Sequence, residues 1–362
     1  MNKVRAAVVE APGVMKIREF ERPRIGPQDA LLKVEMAGVC GTDPKIYHGE
    51  ITQYSLPMIL GHEILGFIEE IGEEAAKAYR VRAGDRVVME ANIQCGRCEY
   101  CVRGEYKYCT NSRGYGTKIS STVPPHLWGA YAEYLYVAPG SLLHKISPAV
   151  PAAAAVLTNA AVANGIQWLR FIGGVKIGDR VVIQGVGPQG MAAVLAARES
   201  GASLILMIGR SSDWDRFKLA REFGAHETIN VDEEDPVERV RDLTGGEMAD
   251  IVLDVTGSTA ALAKAPDLIR KQGTLVVAGL TGAKSVTPML MDKIVWNELS
   301  VKGVFSKSSQ ATVAAVRLVE SGRYPLEKMV SHIYPLERAE EAVRAAGGDL
   351  PGVEPIKVAV VP

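Results

Sequence analysis

The stretch "VVIQGVGPQGMAAVLAARESGA", residues 181–202, restricts the fold more than any other part of the chain. An apolar run leads into glycines at Gly185, Gly187 and Gly190, and an Ala-rich helical pattern follows. G-x-G-x-x-G between a strand and a helix is a dinucleotide fingerprint. Gly185 permits the tight turn, Gly187 lets the backbone approach a pyrophosphate, and Gly190 lets the helix pack on the sheet. The helix start, with Pro188 and Gln189, then offers unpaired N–H groups to phosphate. The rhythm continues as "LILMIG", "DRFKLAREFGA", "ADIVLDVTG", "ALAKAPDLIRKQG" and "TLVVAGL", with "SVKGVFS" as a sixth strand. Strands alternating with helices predict a parallel, doubly wound sheet.

The second strand ends at Gly209, followed by Arg210 and Ser211. A carboxylate is the usual ribose partner there. A missing carboxylate beside an arginine suits the extra phosphate of NADP, so NADP is favoured over NAD. Asp213 and Asp215 stand close by as candidate partners for a ribose hydroxyl.

Residues 1 to about 150 read differently. Short β-like runs ("RAAVVE", "ALLKVEMAGV", "GFIEEIG", "GDRVVME", "AYAEYLYV") are separated by Gly and Pro, compatible with a small barrel. "SPAVPAAAAVLTNAAVANGIQWL" reads as a buried, Ala-rich helix, and "EPIKVAVV" near the end as a strand returning to the first region. The formal net charge of -1 argues against nucleic acid or anionic membrane as main partner. No apolar run has the length of a membrane span. A cytoplasmic protein with reduced thiols is expected.

Four of the five cysteines, Cys95, Cys98, Cys101 and Cys109, crowd into fifteen residues. Such spacing is poor for disulfides and suits a closed, four-sulfur zinc site with a structural role. An iron–sulfur cluster and a nucleic-acid-binding zinc ribbon are the competing readings. Cys40 stands apart in "AGVCGTD", and His62 and Glu63 follow in "LGHEILGF". Cysteine and histidine are natural zinc ligands, and a shell with fewer than four protein ligands leaves room for substrate.

"AGVCGTD", "GHEILGFIEEIG", "AGDRV", the four-cysteine lobe and "GVGPQG" occur in this order. With them the sequence resembles the zinc-dependent medium-chain dehydrogenase/reductase family of alcohol, sorbitol and threonine dehydrogenase-like enzymes. The resemblance implies an α/β architecture: a GroES-like β-barrel catalytic domain (residues 1–155 and 307–362, zinc lobe about 92–112) wrapped around a Rossmann domain (156–306). It implies a structural zinc on Cys95, Cys98, Cys101 and Cys109 and a catalytic zinc near Cys40 and His62. It implies hydride transfer between an alcohol and NAD(P), with Thr42 in the proton path, and a homodimer or homotetramer. It also puts Ala278–Leu280 and Val304–Ser306 beside the nicotinamide. His48, Tyr54, Trp128 and Trp296 are candidates to line a pocket between the domains.

The sequence departs from that pattern in two places. Where relatives carry a third zinc ligand, this chain has Thr158 and Asn159, which are neutral and weakly donating. Glu63 completes the shell, a water held by Thr158 or Asn159 fills it, or the zinc is labile or absent; the first two together are favoured. Where relatives often carry a relay histidine, this chain has Lys45. The rival readings are a zinc-poor quinone or enone reductase of the same superfamily and a non-catalytic nucleotide-binding structural protein.

Overall fold

Alternating and continuous apolar runs fold here into two sheet systems. The structure is a computed structural model, and it describes residues 3–51, 54–282 and 285–362. The chain divides into two units: residues 1–159 with 308–362, and residues 160–307.

The first unit is built around strand Ala30–Val39. It is buried along nearly its whole length, which fits its apolar run of Ala, Leu, Val and Met. It pairs antiparallel with Glu63–Ile71, Tyr134–Val137 and Lys357–Val361. The full sheet has seven strands, with Leu143–Lys145 and Arg86–Met89 on one side and Val330–Pro335 beyond the C-terminal strand. A second, three-stranded sheet joins Val14–Glu21, Lys3–Ala11 and Met58–Ile59. The core between them gathers Leu32, Ile59, Leu60, Ile64, Tyr131 and Val360, all essentially out of solvent. The cysteine segment is a short excursion closed by the ladder Asn92–Ile93 with Arg113–Gly114.

The second unit carries a six-stranded parallel sheet. Its order is Glu227–Asn230, Leu204–Gly209, Arg180–Gln184, Ala249–Asp254, Ile269–Val277, Ser300–Gly303. Numbered along the chain this is 3-2-1-4-5-6, the doubly wound order whose direction reverses beside the first strand. The sixth strand stops at Gly303, short of the "VFS" that the sequence extended it through, and all four of its residues are exposed.

The Ala-rich segment is helical, but it is not one regular α-helix. Thr158–Val162 and Ile166–Gly173 take the wider π winding, between α-helical turns at Ala152–Ala155 and Ala163–Gly165. Between the two π segments the backbone comes close to a neighbouring helix. A Cβ on Gly165 would lie 2.5 Å from the carbonyl oxygen of Ala192 in helix Pro188–Glu199. Local π turns let a helix keep such contacts while re-aiming neighbouring side chains. The segment ends at Gly174, whose φ of +79° suits glycine. Among the described residues no helix is long and apolar enough to cross a membrane.

Candidate active site and metal centres

Strand Ala30–Val39 ends one residue before Cys40, and strand Glu63–Ile71 begins one residue after His62. The two strands are partners, with Gly38 opposite Glu63. That register brings Cys40, His62 and Glu63 together. The Cys40 sulfur, a His62 ring nitrogen and a Glu63 oxygen all lie within 4.8 Å of one another.

Asp43 fixes the loop that carries the cysteine. It is fully buried, and its Oδ2 accepts from the Cys40 N–H at 2.9 Å and from the Tyr131 hydroxyl at 2.9 Å. Its Oδ1 faces His62 Nδ1 at 3.3 Å, close but not aligned as a hydrogen bond. Burial lowers the His62 pKa, yet Asp43 and Cys40 outweigh it and hold the ring well above its usual value. Burial opposes a thiolate at Cys40, but His62 overrides it and draws the thiol below its ordinary range. Asp43 and the Cys40 sulfur thus draw positive charge toward this pocket, a need that a divalent cation would also meet. The Thr42 hydroxyl lies 3.8 Å from the Cys40 sulfur.

Sequence reasoning missed Lys357. This lysine opens the C-terminal strand, and its Nζ donates to Glu63 Oε1 at 2.7 Å and lies 2.6 Å from Oε2. Both side chains are buried, at 6% and 1% exposure. No local signal announces the pair, because 294 positions separate its members. Thr158 and Asn159 are buried too, and Thr158 Oγ1 and Asn159 Oδ1 have no hydrogen-bond partner. Asn159 Nδ2 donates to the Met89 carbonyl.

The four lobe cysteines converge as their spacing predicts. Their sulfurs all lie within 4.8 Å of one another, with Cys95 and Cys101 at 3.9 Å. Backbone N–H groups of Cys101 and Thr110 pull the Cys98 thiol down to about 6, while burial pushes Cys101 up to about 12. Four free thiols at this distance, unbridged and fed by backbone donors, fit a tetrahedral cation. Beneath the lobe, buried Glu90 accepts from the Tyr106 hydroxyl, from Ser309 at 3.2 Å and meets His144 Nε2 at 2.9 Å.

In the second unit the glycine loop has the geometry its sequence calls for. Gly185 has φ +109°, and nothing lies within 4 Å of a Cβ built on Gly187. A Cβ on Gly190 would stand 1.9 Å from the Gly185 carbonyl oxygen. At the next strand's end Arg210 is well exposed and lies 3.5 Å from Asp232. Asp213 accepts from the Arg210 N–H at 3.0 Å and pairs with Arg216 at 2.9 Å, so its carboxylate is already engaged. Asp215 pairs with Lys218 in solvent. Ser211 donates its N–H to Asp232.

Residues 26–148 match the alcohol dehydrogenase GroES-like domain, and residues 188–321 match the zinc-binding dehydrogenase domain. A probable alcohol dehydrogenase of Mycobacterium tuberculosis is 40% identical, over 99% of this chain and 98% of its own. The chain belongs to the zinc-dependent medium-chain dehydrogenase/reductase family. Among solved members of that fold, an alcohol dehydrogenase from Thermotoga maritima superimposes with TM-score 0.90 at 30% identity, covering 99% of both chains. A protein from Sinorhizobium meliloti 1021, solved bound to NADP, superimposes with TM-score 0.88 at 27% identity over the whole of both chains.

Of the residues proposed to line a medium-chain dehydrogenase pocket, Trp128 is core. It is 3% exposed, donates Nε1–H to the Val123 carbonyl and packs edge-on to Tyr136. His48 caps the short helix Thr42–Tyr47 and pairs with Asp349 at 2.8 Å. Tyr54 packs at the margin of the first unit's core. Trp296 and Leu280 are largely exposed. Asp254, which the sequence did not single out, is wholly buried at the end of the fourth strand. It accepts from Thr256 Oγ1, and burial raises its carboxyl.

Proposed function

We propose that this chain is a zinc-dependent alcohol dehydrogenase that transfers a hydride between an alcohol (secondary, polyol or aromatic) and NADP. The observation that carries the reading is the convergence of Cys40, His62 and Glu63 within 4.8 Å beside Thr42. Cys40, His62 and Glu63 would hold the catalytic zinc, and Cys95, Cys98, Cys101 and Cys109 the structural one. Held there, a zinc ion would supply the positive charge that acidifies an alcohol or polarises a carbonyl, and a bound nicotinamide would supply the hydride acceptor or donor.

The protein's own groups do the rest. Thr42 accepts the alcohol proton on its hydroxyl and releases its own proton outward, so the alcohol loses one proton and one hydride. Asp43 keeps the Cys40 loop and the His62 ring in place. Gly185, Gly187, Pro188, Gln189 and Gly190 receive the pyrophosphate at the helix start. Gly209, Arg210 and Ser211 receive the adenosine ribose and its phosphate; the exposed Arg210 and the engaged Asp213 support NADP over NAD. Leu280 belongs beside the nicotinamide. The solved NADP complex of the Sinorhizobium meliloti relative supports the same choice.

The exposed edge strand Ser300–Gly303, flanked by exposed Val295, Trp296 and Phe305, supports a homo-oligomer. A dimer or tetramer on a sizing column is expected.

Metal analysis and cofactor consumption test the reading. Two zincs per chain are expected, with NADP-dependent turnover of an alcohol or ketone from a panel of secondary alcohols, polyols and aromatic alcohols. Cys40→Ala is expected to lose one zinc and nearly all turnover. The neutral Thr158 and the Glu63–Lys357 pair favour one alternative, a zinc-poor quinone or enone reductase. That enzyme would hold one zinc and keep its turnover in Cys40→Ala.

A further inference from the structure

Glu63 sits in an unusual bed, and the inference below rests on reading Cys40, His62 and Glu63 as a metal shell. Its strand partner is Gly38, and a Cβ there would lie 2.1 Å from Glu63 Oε2 and 3.1 Å from Glu63 Cβ. Glycine therefore leaves the space that the carboxylate fills. Lys357 reaches the same space from the strand on the opposite flank of Ala30–Val39 in the same sheet. Its strand pairs with Ala30–Val39, with Val358 opposite Val39, so Lys357 enters at the level of Cys40. The ammonium touches both carboxylate oxygens, and water reaches neither partner appreciably.

A carboxylate oxygen has two lone pairs, so one contact to lysine leaves another for a metal. We propose that Lys357 is a positioning residue that shares Glu63 with the catalytic metal. It keeps the carboxylate within reach as third ligand while neutralising part of its charge, so that the bond is weak and exchangeable. Gly38 supplies the room. Position 158, a neutral threonine, contributes no anion, so Glu63 is the one carboxylate grouped with Cys40 and His62 among the described residues. The formal charges of Asp43, Glu63 and a Cys40 thiolate are balanced by Lys357 and a divalent ion together. Removing Lys357 leaves surplus negative charge that only the metal offsets, and the metal is then held harder.

The test uses the full chain and zinc itself. In Lys357→Met, release of the catalytic zinc to a chelator slows about tenfold. The melting temperature of the zinc-stripped protein falls, while that of the zinc-loaded protein falls much less. With cobalt in place of zinc, the visible d–d bands shift as Glu63 becomes a full ligand. Lys357→Arg keeps wild-type release. In a Glu63→Gln background the lysine substitution has no further effect on release, because Lys357 acts through Glu63. That background also buries less charge, so the comparison stands even where Lys357→Met alone fails to accumulate.

Unchanged zinc release and cobalt bands, with equal losses of melting temperature in stripped and loaded protein, would make the pair a plain structural ion pair and overturn the proposal. So would an effect of Lys357→Met that persists in Glu63→Gln. A wild-type chain that binds zinc on the cysteine lobe alone refutes the shell reading first, and Lys357's role falls with it.

Discussion

Gly190 rests against Gly185: a Cβ at Gly190 would stand 1.9 Å from the Gly185 carbonyl oxygen. No side chain fits that gap, so helix Pro188–Glu199 can begin only with glycine at its third position. Gly190→Ala is expected to shift the loop or the helix start and to weaken NADPH binding at least tenfold. Titration of NADPH fluorescence checks this. The cysteine lobe's zinc content should not change, since the lobe belongs to the other unit.

Arg210 offers the second prediction. Its guanidinium is exposed and only loosely held by Asp232 at 3.5 Å. Arg210→Ala is expected to weaken NADPH binding by roughly 1.5–3 kcal/mol, the range of a charge-assisted hydrogen bond. NADH binding should stay within about twofold. Equal losses for both nucleotides would remove Arg210 as the reader of the extra phosphate.

The lobe supplies a third. Cys98, with its thiol at about 6, is already drawn toward the thiolate by backbone donors. Cys98→Ser is expected to release one zinc per chain and to lower the melting temperature. Limited proteolysis should then cut within residues 95–109, because ligand bonds and folding of such a segment are one event. Atomic emission and peptide mapping are the measurements.

Asp250 gives a pH-dependent prediction. It accepts from Arg180 Nε at 3.0 Å and from the Arg180 N–H at 2.8 Å, and Arg270 Nε lies 2.5 Å away. Burial would raise its carboxyl, but Arg180 and Arg270 outweigh burial and hold it below the usual value. The unfolded chain therefore binds more protons here than the folded one, so the stabilisation is complete above the unfolded pKa of about 3.9 and fades as pH falls through the folded value. Asp250→Asn is expected to cost roughly 1.5–3 kcal/mol at pH 7. The gap between wild type and variant should begin to narrow below about pH 4 and go on shrinking as pH falls toward the folded value. Urea melts of both proteins at pH 7, 5 and 3.5 measure it.

Much of the site was legible in the sequence where chemistry is local. The spacing of Cys95, Cys98, Cys101 and Cys109 already forces four sulfurs into one short loop, and the structure gathers them. The glycines of "GVGPQG" take the conformations that their positions require. The parallel, doubly wound character of the second sheet follows from the alternation of apolar strands and helices, while its 3-2-1-4-5-6 order came from the structure. The Ala-rich segment was legible as helix but not as π winding, because alanine-rich apolar periodicity does not distinguish the two windings. Trp128 could not be told from a pocket residue, since a core and a pocket select the same aromatic surface.

From its sequence alone this chain has a dinucleotide loop and a four-thiol lobe, because each of these is written in residues a few positions apart, whereas Cys40 and His62 stand on separate segments that only strand pairing brings together. Only the tertiary structure decided what Glu63 faces. Strand pairing carried Lys357 across 294 positions to the carboxylate, and the missing side chain of Gly38 left the space where they meet. Such a pair leaves no local pattern, since the backbone hydrogen bonds of a sheet, and not the order of residues, set which side chains become neighbours.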